Sequence, residues 1–600
     1  KDTKTADKLF DRYEYVDAAK EYLKLTEKGK ADNYVYKQLA DSYYNVFNTK
    51  EAVKWFAKAT EEKQDAETYY KYAQMLKAEG NYAEADKQMK QFASLAPNDQ
   101  RAKTFNSNPQ YLPTLKSQAK LYDVVKSDIS SDKTDFGAVL TNDNNVYFSS
   151  SRNTSKKNSN WNEEPYLDLY KATYNANKTI SEAVAVDNLN TRWHDGPASV
   201  SSDGSVMYYG SESFNEKEYV KDKEKKAKFG KIYLYKATNS GGSWSNSKPL
   251  PFNNAAYDVR NPSISKDGKT LYFSSNMPGG MGGEDIWKVS VNGDEYGTPE
   301  NLGAKINTEA NESFPFITDD NVLFFSSNGK QGFGGLDVFK IDLSKGTDAV
   351  NVGAPVNTEK DDFAFTYNTA KKVGFFSSNR GGNDDIYIAD PVCGVQAIAI
   401  VKDAKTGNVI ESANVVLVDA KEKVVGNQST GSNGKSSFGV NCNMPYNFQV
   451  SKQGYESAVG EVAKTDGGEV VVEISMQPIL PIITEKEVIL QPIFFEFNKS
   501  NITQQGAAEL DKLVQVMVEH PNMVIFAKSH TDSRGSDKYN LNLSDRRAKS
   551  TVQYLVSKGI AKDRISGQGF GESEPKVACD NCTEEEYAQN RRSEFLIVKK

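Results

Sequence analysis

The spacing of apolar residues changes several times along the chain, and each change predicts a different kind of structure. The first part has apolar positions at helical spacing, and a longer part then alternates apolar with polar positions between turn residues. A strand-rich part follows, and the chain ends in alternating strand and helix patterns. The predicted fold is multidomain, and the expected order is an all-α region at 1–100, a linker at 101–118, an all-β region at 119–390, a β-sandwich at 391–476, a linker at 477–490 and an α/β domain at 491–600.

Alanine recurs at equivalent places in the helical region, in the segments YVDAAKEY, NTKEAVKWF and NYAEADKQM. These residues are Ala18, Ala52 and Ala85, at spacings of 34 and 33 residues. A small residue at a fixed place lets two helices approach closely, and the period resembles that of tetratricopeptide repeats. The resemblance implies a concave surface for a peptide or protein partner; the alternative is a helical cap on the next domain.

The all-β region repeats the phrase aromatic, Ser, Ser, followed by a charged, an aliphatic and an aromatic residue. Four clear copies and one degenerate copy begin at Phe148, Phe273, Phe325, Phe376 and Tyr209. A unit of about 50 residues holds four short strands, the content of one propeller blade. The fifth unit lacks one strand, and KLYDVVKSDI at 120–129 is expected to complete it and to remove the open sheet edges. The pattern resembles WD40-like propellers with PD40-type repeats and implies an all-β propeller of five blades.

The predicted β-sandwich carries four short sequences that resemble the carboxypeptidase regulatory-like domain. They are Thr406-Gly407, Ala413-Asn414-Val415, Asn433-Gly434-Lys435 and Gly454-Tyr455. Despite its name, the resemblance implies a small non-catalytic β-sandwich that serves for spacing or docking. The sequence shows no cluster of zinc ligands in this region.

The C-terminal region predicts a strand at 492–497, a helix from Thr503 to about His520 with an apolar stripe, and a second helix at 541–558. Four motifs follow one another here: FFEFNKSNI, SHTDSRGSDKYNLNLSDRRA, GQGFGESEP and NRRSEF. In this order they resemble the OmpA-like peptidoglycan-binding domain. The resemblance implies that the domain holds the side chain of meso-diaminopimelate in the wall peptide, whose free end carries an ammonium and a carboxylate.

The resemblance also implies which residues bind that group. Asp532 matches the acid of the family and would accept the ammonium, while Arg547 matches its arginine and would bind the carboxylate in a forked geometry. Adjacent helical positions point about 100° apart, so Arg546 is not expected to face the same pocket. The alternative is that Asp532 and Arg547 form only an internal ion pair. Further candidate contacts are Phe497, Asn498, Thr531, Asn540 and Arg591.

Four cysteines, Cys393, Cys442, Cys579 and Cys582, form a sparse and even set that fits two disulfides in an oxidising compartment. The first two would bracket one small β domain, and the last two would close one loop. The alternative is a metal site at the CxxC sequence. A structural zinc site needs four ligands, however, and no second CxxC or His pair lies nearby.

The overall charge and hydropathy restrict the function. The net charge is −7 with both signs mixed, which argues against a nucleic-acid partner. The longest apolar runs are shorter than the ~18 residues that a membrane span needs. The chain begins at KDTKTADKLF without Met or an apolar segment, as expected of a mature chain whose signal peptide has been removed; a truncated chain would look the same.

The order of the four modules resembles the PorE-type proteins of Bacteroidota. The resemblance implies a periplasmic tether, associated with the outer membrane and cell wall, that binds peptidoglycan and an outer-membrane complex of the type IX secretion or gliding machinery, with a PorP-like barrel as one candidate partner. We expect neither a cofactor nor catalysis. Two alternatives are an enzyme that acts on the wall through the propeller and a sensor whose propeller binds a soluble ligand.

Overall fold

A computed structural model describes residues 2–600, which divide into two compact units. The first unit ends at Gly394, and the second runs from Val395 to Lys600. No helix within residues 2–600 is both long enough and apolar enough to cross a membrane.

Helices open the first unit, and each of the first six packs against the next one. They are α1 (Lys4–Asp11), α2 (Tyr15–Glu27), α3 (Asn33–Asn45), α4 (Thr49–Ala59), α5 (Ala66–Ala78), α6 (Tyr82–Leu95), α7 (Gln100–Ser107) and α8 (Tyr111–Lys116). An Asp or Asn side chain accepts a backbone N–H at the start of each helix from α3 to α7, which satisfies a donor that the helix leaves free. The segment 101–118, assigned to a linker by the sequence, lies largely in α7 and α8.

The repeated alanines lie where the helices meet. Ala18, Ala52 and Ala85 belong to α2, α4 and α6, and all three are fully buried in one hydrophobic cluster. A side chain as small as that of alanine at the contact allows two helices to pack closely. The regular spacing of alanine in the sequence therefore corresponds to a repeated helix–helix contact.

Strands fill the rest of the first unit. β1 (Tyr122–Lys126) comes first, and one sheet then contains β2 (Asp135–Leu140), β3 (Asn145–Ser150), β4 (Asp168–Thr173) and β5 (Val184–Ala185). The next segment contains β6 (Asp195–Val200), β7 (Val206–Glu212), the separate hairpin β8 (Val220–Asp222) and β9 (Ala227–Phe229), and then β10 (Ile232–Ser240) and β11 (Ser243–Pro249). A third sheet contains β12 (Val259–Ile264), β13 (Thr270–Ser275), β14 (Asp285–Asn292), β15 (Glu295–Tyr296) and β16 (Glu300–Asn301). Two more segments contain β17 (Glu312–Ile317), β18 (Val322–Ser327), β19 (Asp337–Asp342) and β20 (Val350–Asn351), and then β21 (Asp362–Asn368), β22 (Val373–Ser378) and β23 (Asp385–Pro391).

The strand β1 belongs to the last of these sheets, whose order is β1-β23-β22-β21. It pairs antiparallel with β23, with Tyr122 opposite Pro391 and Lys126 opposite Tyr387. The segment 120–129 therefore joins the fifth repeat, as the sequence suggested. The first strands of the five repeats contact each other in a closed series: β2 with β6, β6 with β12, β12 with β17, β17 with β21, and β21 with β2.

The helices pack on the loop at 328–335, which joins β18 to β19. Three tyrosine hydroxyls from the helical region donate to backbone carbonyl groups of this loop. The hydrogen bonds run from Tyr70 to Asn328, from Tyr82 to Phe333 and from Tyr111 to Gly332. The helical region therefore covers part of the β region, which is the arrangement expected of a cap.

The second unit begins with two sheets that share one core. Their strands are β24 (Gly394–Asp403), β25 (Asn414–Asp419), β26 (Val424–Ser429), β27 (Lys435–Asn441), β28 (Tyr446–Ser451), β29 (Ala458–Val462) and β30 (Gly468–Met476). The sheet orders are β27-β24-β30, in which β24 and β30 are parallel, and β26-β25-β28-β29. Inward residues alternate with exposed ones along β28, as expected for a strand that buries one face.

The remaining elements form a mixed α/β domain. They are β31 (Ile482–Ile483), β32 (Glu487–Ile489), α9 (Gln504–Glu519), β33 (Val524–His530), α10 (Asp537–Ser557), β34 (Ile565–Gly571), α11 (Glu584–Asn590) and β35 (Ser593–Lys599). The sheet order is β31-β32-β35-β33-β34, and β33 is parallel to β34. The linker expected at 477–490 thus contributes two strands, and the core lies between the sheet and the helices.

The strand expected at 492–497 is wrong, since the structure assigns no strand to these six residues. Their backbone groups are bound by side chains at the start of α9 instead. Gln505 accepts from the N–H of Phe494 and donates to the carbonyl of Pro492, and Thr503 donates to the carbonyl of Phe494. The apolar pattern there is typical of a strand, but three backbone groups that could pair with a neighbouring strand are already bonded to these side chains.

Candidate functional site

Asp532 lies two residues after the end of β33, where the chain turns toward α10, and only 6% of the residue is exposed. Its Oδ1 accepts from the backbone N–H of Arg534 at 2.9 Å. Its Oδ2 accepts from Nη2 of Arg534 at 2.8 Å and from Nη1 of Arg591 at 2.7 Å. Burial raises the pKa of Asp532, but the hydrogen bonds from Arg534 and Arg591 outweigh it and hold the pKa below its ordinary value of 3.8. The carboxyl group is therefore ionised at neutral pH.

Glu584, the first residue of α11, joins the two arginines. Its Oε2 accepts from Nη1 of Arg534 at 3.0 Å, and its Oε1 accepts from Nη2 of Arg591 at 2.7 Å. The guanidinium of Arg534 also lies 4.4 Å from the ring centroid of Tyr587, within cation–π distance. Asp532, Arg534, Glu584 and Arg591 therefore form a closed network of alternating charge.

Arg547 lies in the middle of α10 and is half-buried. Its Nε donates to the carbonyl of Lys499 at 3.0 Å, its Nη2 donates to the carbonyl of Glu496 at 3.4 Å, and its guanidinium lies 4.9 Å from the ring centroid of Phe495. Within residues 2–600, no hydrogen bond or ion pair joins Arg547 to Asp532. Burial lowers the pKa of Arg547, while the charge of Asp532 raises it, so the two groups interact electrostatically without direct contact.

The loop before α9 carries two of the predicted contacts. Phe497 is 95% exposed, so its ring projects into solvent. Asn498 has a φ of 54°, a conformation that Asn adopts more readily than most residues, and its Oδ1 accepts from the hydroxyl of Tyr539 at 2.5 Å. Since Tyr539 lies in the first turn of α10, this bond ties the loop to the helix that carries Arg547.

Asn540 and Thr531 lie buried beside Asp532. Nδ2 of Asn540 donates to the carbonyl of Asp532 at 3.2 Å and to Oε2 of Glu572 at 2.5 Å. The backbone N–H of Thr531 donates to the carbonyl of Gly571 at 2.9 Å, while its buried hydroxyl has no hydrogen-bond partner within residues 2–600. Asn540 therefore fixes the backbone that carries the acid.

A disulfide joins Cys579 to Cys582 just before α11, and Cys393 and Cys442 are also disulfide-bonded. Glu586 lies close enough to the first pair for the three to resemble a metal-binding group. A cysteine binds a metal as its thiolate, however, and both sulfur atoms are already bonded to each other. The loop at 579–582 therefore suits a covalent clamp at the start of α11 better than a metal site.

The structure brings together only part of the predicted site. Asp532 and Arg591 are in direct contact, whereas Arg547 is held by the loop before α9. Arg534 and Glu584 also belong to the charge network, although the sequence did not predict either of them as a site residue. The spacing of Arg534, two residues after the acid in a turn, was a usable signal for a local ion pair, whereas nothing near Glu584 in the sequence links it to the acid.

Comparison with known proteins identifies two of the modules. Residues 494–591 match the OmpA family, and residues 399–477 match the carboxypeptidase regulatory-like domain. The chain is 37% identical over 118 residues to outer membrane protein A of Shigella flexneri, which is 19% of this chain and 34% of that protein. It is 42% identical over 104 residues to the peptidoglycan-associated lipoprotein of Buchnera aphidicola subsp. Baizongia pistaciae, which is 17% of this chain and 59% of that protein. The chain therefore contains an OmpA-like domain and a carboxypeptidase regulatory-like domain, and it spans less than two thirds of the length of either relative.

A solved structure is similar to part of the chain. The crystal structure of the peptidoglycan-associated lipoprotein from Burkholderia pseudomallei is 28% identical, covers 18% of this chain and 87% of that chain, and has a TM-score of 0.17.

Proposed function

We propose that the chain binds peptidoglycan through its OmpA-like domain and tethers an envelope assembly to the cell wall. The observation that carries this proposal is the ionised acid Asp532, which lies beside guanidinium groups within a segment that matches the OmpA family. Two relatives of this segment are named peptidoglycan-associated lipoproteins, which supports the same ligand.

The ligand group that fits this site best is the free end of meso-diaminopimelate. Its ammonium would bind Asp532, and its carboxylate would bind Arg547. Arginine has five N–H donors, and the two bonds from Arg547 to backbone carbonyl groups leave the others for a ligand. Phe497 and Asn498 would border the bound peptide, while Thr531, Asn540 and Arg591 would position the acid.

We also propose finer identities for the first unit. The closed series of contacts between first strands and the pairing of β1 with β23 support a five-bladed propeller. The buried alanines at spacings of 34 and 33 residues support tetratricopeptide repeats. Since the helices contact the loop at 328–335, only the face that remains uncovered would be open to a partner.

The order of these modules supports a tether in the periplasm, associated with the outer membrane and the wall. The OmpA-like domain would hold peptidoglycan, and the other modules would hold an outer-membrane complex, for which the type IX secretion or gliding machinery is our first candidate. Each wall contact need be only modest, because linked modules raise the effective concentration of one another.

We propose that the chain acts without catalysis. Phe136, Phe314 and Phe363, from three of the first strands, have ring centroids 5.1 to 6.0 Å apart where these strands converge. Aromatic packing at this place supports a filled core over a catalytic channel. An enzyme acting on the wall would release soluble muropeptides from sacculi, and a sensor would gain thermal stability with its soluble ligand.

Co-sedimentation with purified sacculi tests the proposal. We expect the full chain to pellet with sacculi in a saturable manner and to release no muropeptides. Failure to pellet would overturn wall binding, and release of muropeptides would overturn the non-catalytic role. A pull-down from solubilised membranes with and without residues 1–394 then tests whether the first unit holds the membrane partner.

A further inference from the structure

The acid of the proposed site is already occupied in the free protein. Three donors bind Asp532, two of them from cationic side chains, and its side chain is 8% exposed. The carboxylate is therefore both covered and paired with positive charge before a ligand ammonium approaches it. Among the residues that the structure describes, Oδ1 accepts only one bond and keeps a free lone pair. With the side chain only 8% exposed, we infer that an ammonium reaches the carboxylate only if one of the two guanidinium groups moves away.

Of the two arginines, Arg534 can leave Asp532 with the smaller loss of stabilising contacts. Its side chain is 51% exposed, against 36% for Arg591. On leaving Asp532, it would keep the ion pair with Glu584 at 3.0 Å and the stacking on Tyr587. Its side chain is also tied to the acid by a single bond from Nη2, which can break without moving the backbone.

The remaining bonds would keep the acid in place after this change. The backbone N–H of Arg534 still donates to Oδ1 at 2.9 Å, and Arg591 still donates to Oδ2 at 2.7 Å. Asn540 holds the backbone carbonyl of Asp532 at 3.2 Å. The carboxylate would thus exchange one cation for another without losing its orientation.

We propose that the Arg534 side chain is a displaceable counter-ion that closes Asp532, and that the ligand ammonium replaces it. This inference rests on the proposed binding of diaminopimelate at Asp532. The exchange is neutral in charge, since one cation leaves as another enters. A ligand end without a positive charge cannot compensate the freed carboxylate, so Arg534 favours a cationic ligand at the expense of affinity. The apparent affinity is lowered by the small fraction of molecules in which the acid is open.

The test compares the wild-type full chain with Arg534→Gln and Arg534→Lys, using meso-diaminopimelate in a calorimetric titration. We expect Arg534→Gln to bind about tenfold more tightly, because no cation needs to be displaced, and Arg534→Lys to remain close to the wild type. Weaker or unchanged binding by Arg534→Gln would overturn the inference and would make Arg534 a positioning residue. Asp532→Asn, combined with each variant, should abolish binding.

Two results separate this inference from the proposed function. If Asp532→Asn binds as well as the wild type, the proposed site itself is wrong, whatever Arg534 does. If Asp532→Asn is inactive and Arg534→Gln is not improved, only the role of Arg534 fails. Should Arg534→Gln not fold, a crystal structure of the wild-type chain soaked with meso-diaminopimelate decides: the ammonium is expected to replace Nη2 of Arg534 on Asp532, and an unbroken Arg534–Asp532 ion pair beside bound ligand would contradict the inference.

Discussion

Arg591 donates from Nη1 to Oδ2 of Asp532 across 2.7 Å, although 59 residues separate the two along the chain. This contact exists because α11 ends at Asn590, and the chain then enters β35 beside β33. The acid is therefore built into the folded domain rather than carried by a free loop. Substitutions at this site can accordingly be judged against substitutions of neighbouring charged residues that take no part in it.

Removing either Asp532 or Arg547 should strongly weaken wall binding. We expect Asp532→Ala and Arg547→Ala each to weaken co-sedimentation with sacculi by at least about tenfold, because each removes a charge-assisted hydrogen bond to the ligand. The matched control is Arg546→Ala, which removes an exposed arginine next to Arg547 and should bind as the wild type does. Binding that is equally lost in the control would indicate a general electrostatic attraction to sacculi instead.

Closure of the last sheet by β1 should contribute strongly to the stability of the first unit. Tyr122 is buried in a hydrophobic cluster, with its ring centroid 5.2 Å from that of Phe365, whereas Val125 on the same strand is 58% exposed. We expect Tyr122→Ala to lower the free energy of unfolding by about 3–5 kcal/mol and Val125→Ala to change it by less than about 0.5 kcal/mol. Denaturant unfolding of residues 2–394 measures both. Equal effects would mean that β1 is a peripheral strand.

A buried ion pair should hold the regulatory-like domain against α9. Lys512 donates to Oε1 of Glu509 at 2.7 Å and to the carbonyl groups of Gly454 at 2.9 Å and Ile479 at 3.1 Å. Glu509 is 2% exposed, so Lys512→Met would leave its charge buried without a counter-ion. We expect a loss of about 3–5 kcal/mol in the unfolding free energy of residues 395–600.

The control for this change is an ion pair on the surface of the same domain. Lys549 pairs with Asp545 at 2.8 Å, but its side chain is 69% exposed. We expect Lys549→Met to cost less than about 1 kcal/mol. A loss as large as that of Lys512→Met would show that the stability responds to lost charge in general and not to the buried pair.

The first unit should be more stable at mildly acidic pH than at alkaline pH. Glu312 is fully buried, and burial raises its pKa to about 7 despite hydrogen bonds from Thr308 and Ser327. The folded state therefore keeps a proton that the unfolded state releases above its ordinary pKa of 4.5, so stability falls as the pH rises from that value to about 7. The contribution of this residue is about 3 kcal/mol.

Unfolding of residues 2–394 at about pH 5 and about pH 8 measures this dependence. Glu312→Gln, which mimics the protonated form, should make this dependence less steep without removing it, because burial also raises the pKa of Glu212, Asp361 and Asp384 to about 7. Glu295→Gln serves as the matched control at an exposed position. Stability that rises with pH in the wild type, or a slope that Glu312→Gln leaves unchanged, would contradict the assignment.

Local signals in the sequence predict the elements of the C-terminal domain well. The helix expected from Thr503 to about His520 is α9, at Gln504–Glu519, because Thr503 caps it and its apolar residues face the core. The strand expected at 492–497 fails for the opposite reason. Its backbone groups are hydrogen-bonded to the side chains of Gln505 and Thr503. The spacing of apolar residues cannot predict such side-chain partners.

The candidate site also contains residues that the sequence predicts and contacts that it does not. The motif locates Asp532 and Arg547, but it does not reveal that Arg534 and Arg591 already hold the acid. The contact between Arg591 and Asp532 exists because β35, which follows α11, pairs with β33. This pairing is a property of the tertiary fold. Glu584 joins both arginines from that helix, and no residue near it in the sequence indicates this role.

The most direct test of ligand binding between Asp532 and Arg547 is a calorimetric titration of the wild-type chain with three small molecules. In each of them the L-end amino group is acetylated and the L-end carboxyl group is amidated, so that only the distal end is free to bind. They are blocked meso-diaminopimelate, blocked lysine, which lacks the distal carboxylate, and blocked 2-aminopimelate, which lacks the distal ammonium. We predict saturable binding of meso-diaminopimelate and binding at least about tenfold weaker for the other two, because each of them leaves Asp532 or Arg547 without its partner. Equal affinity for all three, or no binding of meso-diaminopimelate by a chain that pellets with sacculi, would contradict recognition of the zwitterion.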